Sequence, residues 1–111
     1  MKVLVCGGRD YNDYDQVVSV LNDVKGITLI IQGDARGADT LGKRYGLDNG
    51  IPVDCYPALW NQYGKRAGYL RNQQMLDDGQ PDLVVAFPGG RGTAMMIRIA
   101  EEQGFDVTVI E

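Results

Sequence analysis

Six of the chain's 11 basic residues fall in four short segments or just after them. These are Arg9, Arg36, Lys65, Arg66, Arg71 and Arg91. The segments are Gly7-Gly8-Arg9-Asp10, Gly33 to Asp39, Pro57 to Gly68, and Pro88-Gly89-Gly90-Arg91-Gly92-Thr93. Three of them are rich in glycine, which lets backbone N–H groups approach a ligand closely. Each leads into a segment with helical spacing, and the free amides and dipole of a helix N-terminus favour anions. Glycine, arginine and a helix start together describe a site for phosphate or carboxylate, and the ligand expected there is a small anion-bearing molecule.

The last segment is the sharpest motif. The glycines make a tight turn, Gly90 and Gly92 permit close backbone approach, and the Thr93 hydroxyl can cap the helix or donate to a phosphate oxygen. It lacks the GK[ST] of a Walker A loop and the GxGxxG of a dinucleotide fingerprint, so neither an ATPase nor an NAD dehydrogenase is expected. Asp10 and Asp34 lie in the first two segments and are the weak candidates for acid–base work or for accepting ribose hydroxyls. Asp39, beside a helix start, fits a cap or dipole partner. In the longest segment Trp60 and Tyr63 can stack on a base, while Trp60 can equally anchor the loop or form a dimer contact.

Five apolar, β-rich runs place these segments: residues 2–6, 27–31, 51–56, 82–87 and 106–110. The second and fourth show little alternation, as strands covered on both faces do. Between the runs, Tyr14, Val17, Val18, Leu21 and Val24 mark one helix, and Ala38, Leu41, Tyr45 and Leu47 a second. Ala67, Leu70, Met75 and Leu76 mark a third, and Ala94 to Ala100 a fourth. Strict alternation of strand and helix predicts a parallel α/β sheet, whose ligands bind beyond the carboxyl ends of the strands. The glycine–arginine segments lie at those ends.

Composition narrows the chemistry further. The 111 residues are enough for one domain, with 44% hydrophobic residues to fill its core. A net charge of −4 disfavours duplex DNA and anionic membranes as partners. Histidine is absent, which removes His bases, triads and metal ligands together. Cys6 and Cys55 are isolated, so no Cys metal site or disulfide framework is expected, and both read as buried, reduced thiols. No metal or resident cofactor is implied. The first apolar run is too short for a signal peptide and no stretch is long enough to span a bilayer, so a cytoplasmic location is expected.

Gly7-Gly8-Arg9-Asp10, Gly33 with Gly37-Ala38-Asp39, Tyr56-Pro57-Ala58 with Trp60, Tyr63-Gly64-Lys65, Arg71-Asn72 with Met75, and Phe87 through Thr93 follow one pattern over nearly the whole chain. The chain resembles the YspA/YpsA-related branch of the SLOG superfamily, Rossmann-like domains implicated in sensing or processing nucleotide-derived ligands. More distant relatives are the DNA-processing protein DprA and the LOG phosphoribohydrolases, which release a base from a nucleoside 5′-monophosphate. The latter carry RKxxM and PGGxGTxxE. Arg71-Asn72-Gln73-Gln74-Met75 matches the first with Asn in place of Lys, and Pro88 to Thr93 begins the second. By that resemblance Arg71 and the Gly89–Thr93 loop hold a phosphate or phosphoribosyl group; the glycine–arginine segments themselves add Gly7, Gly8, Arg9, Gly33, Arg36 and Lys65 as ligand-binding positions. The position of the motif's Glu is Met96. The expected domain is a single Rossmann-like three-layer unit over residues 1–111, with a five-stranded parallel sheet in order 3-2-1-4-5 and four helices. The expected function is binding of a nucleotide-derived, phosphate-bearing molecule; the alternative is N-glycosidic cleavage of a nucleotide by a loop Asp. The superfamily's habit of pairing implies a homodimer or higher homo-oligomer.

Overall fold

Lys2–Cys6 forms the central strand, β1, because it can bury both faces. Alternate residues point to opposite sides of a strand. Leu4 and Cys6 enter one core layer, with Ile31, Met75, Leu76, Val84, Met96 and Ile99. Val3 and Val5 enter the other, with Val17, Leu21, Ile30, Tyr45, Val85 and Phe87. A computed structural model describes all 111 residues as one α/β Rossmann-like domain. The parallel sheet has the order β3-β2-β1-β4-β5, where β2 is Leu29–Gln32, β3 Val53–Cys55, β4 Leu83–Ala86 and β5 Val107–Val109. Register runs Leu4↔Ile31 on one side of β1 and Leu4↔Val84 on the other.

Helices α1 (Tyr14–Asn22) and α2 (Ala38–Asp48) cover one face; α4 (Ala67–Gly79) and α5 (Arg91–Glu102) cover the other. The Asp13 carboxylate caps α1 by accepting from the Gln16 N–H at 3.0 Å, an interaction worth about 1 kcal/mol. No helix is long and apolar enough to cross a membrane.

The structure corrects several local expectations. α1 stops at Asn22, leaving Val24 beyond it. Leu47 is 69% exposed: the buried stripe of α2 runs Ala38, Gly42, Tyr45, and a residue two further on has rotated off that face. Cys55 is exposed, because β3 is an edge strand. Strand β2 starts two residues later and ends one residue later than its apolar run, and β3, β4 and β5 are two or three residues shorter than the runs that contain them. The segment from Pro57 is also not plain loop: Trp60–Tyr63 makes one helical turn, α3, followed by a 3₁₀ turn at Gly64–Arg66.

Candidate functional site

Strand order reverses between β1 and β4, and a crevice opens there beyond the carboxyl ends. Three loops meet at Gly8. Its N–H donates to the Pro88 carbonyl at 2.9 Å, and its own carbonyl accepts from the Ala38 N–H at 3.1 Å. Gly37 makes this closure possible. It sits at φ +80°, a conformation that disfavours side chains, and a Cβ there would drive into the Gly8 carbonyl.

The resulting cavity has a volume of about 360 Å³, within the usual range for small-molecule sites. Cys6, Gly7 and Gly8 form its floor. One wall is the N-terminus of α5, from Gly90 to Thr93. The N-cap is Gly90, which carries no side chain to cap the helix, and the amides of Arg91, Gly92 and Thr93 have no partner in the protein. Thr93 lies one turn inside α5, so the side-chain cap anticipated for it is not made. Beside Gly90 and Gly92 there is open space where a Cβ would stand, whereas at Gly89 a Cβ would collide with the Thr93 side chain and lie 2.6 Å from the Gly8 nitrogen. Gly89 therefore serves packing, while Gly90 and Gly92 leave room for a ligand.

The opposite wall is made of side chains. Arg71 on α4 donates from Nε to the Asn72 Oδ1 at 2.9 Å and from Nη1 to the Gly33 carbonyl at 2.6 Å, leaving Nη2 without a partner. Burial lowers the Arg71 pKa from its ordinary value; Asp39 opposes that shift and Arg9 adds to it. Asn72 is itself buried and supplies the acceptor. A lysine, which has donors only, could not do this. Asp39, in the first turn of α2, is 6% exposed and accepts from the Ala35 N–H at 3.2 Å. Burial pushes its pKa up to about 6, against the pull of backbone N–H groups and Arg71. The Cys6 thiol below is pushed up to about 12, chiefly by burial, so it stays protonated and is no nucleophile. At the mouth, the Arg9 guanidinium lies 5.5 Å over the Trp60 ring.

The cavity thus gathers Gly7, Gly8, Arg9, Trp60, Arg71, Gly90, Arg91, Gly92 and Thr93. Gly33 acts behind the wall through its carbonyl. The structure places other anticipated residues elsewhere. Arg36 and Asp10 pair at 3.3 Å with side chains 74% and 95% exposed, outside the cavity. Asp34 turns the chain at φ 58° and is not part of the lining. Lys65 lies on the 3₁₀ turn, away from the lining, and Tyr63 faces a second cavity of about 440 Å³ with Leu59, Arg66 and Leu70. Arg71 borders both cavities. Asp39 has the sequence position of a cap or dipole partner, and only folding brings it near Arg71, 32 positions away along the chain. Met75, Met95 and Met96 give the cavity its apolar side. No group of three or more Cys, Asp or Glu comes together as a metal ion would require.

Among known proteins, the "Gene 61 protein" of Mycobacterium phage D29 is 33% identical over 117 aligned residues, spanning 96% of this chain and 93% of that protein. No solved structure matches the chain significantly. Residues 1–63 match the YspA, cpYpsA-related SLOG family. That stretch contains the first two glycine loops, the Gly8 junction's partners at Gly37 and Ala38, and Trp60. The chain belongs to the YspA, cpYpsA-related SLOG family.

Proposed function

We propose that the cavity binds a nucleotide-derived small molecule and holds its phosphate at the N-terminus of α5. The observation that carries this reading is the convergence of three unpartnered α5 amides with Arg9, Arg71 and Arg91 in one crevice of a protein of net charge −4. Amides that water would otherwise satisfy, at the positive end of a 12-residue helix, suit a phosphate group. Trp60 at the mouth offers a ring face for a base.

Isothermal titration calorimetry with AMP, GMP, CMP and UMP tests the reading. At least one should bind once per chain, and Arg71→Ala should weaken it by more than about tenfold, the scale of a hydrogen bond to a charged group. Failure of every phosphorylated nucleoside to bind would overturn it.

A second reading, hydrolysis of the nucleotide's N-glycosidic bond, is favoured by one observation: Asp39 is a carboxylate lining the cavity, with a pKa raised towards neutrality. Such a group can pass a proton to a departing base or take one from attacking water. Release of free base over hours, abolished in Asp39→Asn, would support this reading; binding without release would remove it.

A further inference from the structure

Asp39 Oδ2 accepts from the Ala35 N–H, and the Gly33 N–H also acts on the carboxylate, while Oδ1 makes no hydrogen bond within the protein. No cation comes within ion-pair distance of it; the three ion pairs of the molecule all lie elsewhere. Yet the residue is 6% exposed and borders the cavity. Arg71 Nη2 is likewise without a partner. A free acceptor and a free donor, both open to solvent, therefore line the same cavity.

The two sides of the cavity are separated by the sheet itself. Asp39 follows β2 and the α5 amides follow β4, with β1 between them, so the two strand ends are roughly 10 Å apart. A phosphate seated on α5 keeps its charge away from Asp39, which would repel it. The part of the ligand that reaches Asp39 is the part beyond the phosphate, and a lone free carboxylate oxygen asks for one neutral donor. A base edge offering two donors side by side would have to share Oδ2 with the Ala35 N–H, which a single hydroxyl donor does not. A ribose hydroxyl meets the requirement: it donates to Asp39 and its oxygen can accept from Arg71 Nη2.

Building on the phosphate-binding reading above, we propose that Asp39 and Arg71 recognise a free hydroxyl of the ligand's sugar, so that the site selects ribonucleoside over deoxyribonucleoside phosphates. The test is calorimetric titration of the full chain with AMP, GMP, CMP and UMP beside their 2′-deoxy and 3′-deoxy counterparts. The ribonucleotide that binds should do so about tenfold more tightly than at least one of its deoxy forms, the scale of a hydrogen bond to a charged group. In Asp39→Ala the preference should fall below about twofold. In Asp39→Asn, which retains a neutral acceptor, it should be intermediate, with melting curves showing that both variants are folded. Equal binding of ribo and deoxy forms by the wild type overturns the proposal and leaves the phosphate-binding reading standing. A ribose preference that persists in Asp39→Ala also overturns it. So does a preference among bases, equal in the ribo and deoxy series and lost in Asp39→Ala, which would assign the carboxylate to a base edge. Absence of binding by every nucleotide removes both readings together.

Discussion

The two walls of the cavity are built on opposite plans. The α5 wall is backbone: glycines, open space and amides with no side chain to cap them. The Asp39–Arg71 wall is side chain, a buried carboxylate and a half-buried guanidinium fixed in advance by Gly33, Ala35 and Asn72. A backbone wall needs room and little else, because its donors are held by the helix. A side-chain wall needs scaffolding, because long residues lose conformational freedom when ordered, and it carries the desolvation cost of its charges. On the proposed function, fine discrimination therefore belongs to the second wall, and grip on charge to the first.

The sharpest way to break this division is to damage the junction that holds both walls in place. Gly37→Ala puts a Cβ into the Gly8 carbonyl at a φ of +80°, so urea unfolding should show a loss of about 3 kcal/mol, with ligand binding lost alongside.

Next in size is the cost carried by the side-chain wall. Asp39 titrates near 6 when folded and near 4 when unfolded. Between those values the native state binds more protons than the unfolded one, so this group's contribution to stability falls as pH rises through the window, and the whole cost is present above it. Asp39→Asn should therefore be more stable than wild type by about 2 kcal/mol at pH 7.5. The gain should disappear below about pH 4, where both side chains are neutral. Paired melting curves across pH check this, and a gain independent of pH would contradict it.

A smaller effect isolates the backbone wall. Gly92→Ala meets no neighbour in the protein and lies in the first turn of α5, so stability should be unchanged or rise by about 0.5 kcal/mol. Its methyl group enters the open space in which we propose the phosphate sits, and nucleotide affinity should drop about tenfold. Gly89→Ala is the control: crowded by Thr93 and Gly8, it should lose stability as well as affinity. Smallest of all, Arg36→Ala and Asp10→Ala remove a solvent-exposed ion pair and should each change stability by less than about 0.5 kcal/mol. Calorimetry should find nucleotide binding within about twofold of wild type in both.

The same contrast explains what could be read from residues alone. The architecture was legible because each buried run ends abruptly at glycine or proline, as at Gly7, Gly33 and Pro88, and because two-sided burial leaves β2 and β4 without alternation. The backbone wall was legible for a related reason: Pro88 to Thr93 is contiguous, and its geometry is local. The side-chain wall was only half legible. Arg71 stood out by its motif, but what fixes it, the Gly33 carbonyl, is 38 positions away. Asp10, Asp34 and Asp39 are equivalent as letters in loops. Only the fold turns one into the cavity, sets another in a left-handed turn and leaves the third in solvent. Arg9 and Arg36 part company in the same way. The replacement of Lys by Asn72 reads as a departure in the motif, and in three dimensions it is an acceptor that steadies Arg71.

Gly8 gives the crevice a division of labour. With its N–H and carbonyl both committed to neighbouring loops, it works as a rivet and has no amide to offer a guest. Recognition is thereby handed to segments further along the chain, and these can be altered one at a time. Exchanging Trp60, Arg91 or Met95 could retune which molecule is held while the fastening at the heart of the sheet stays shut.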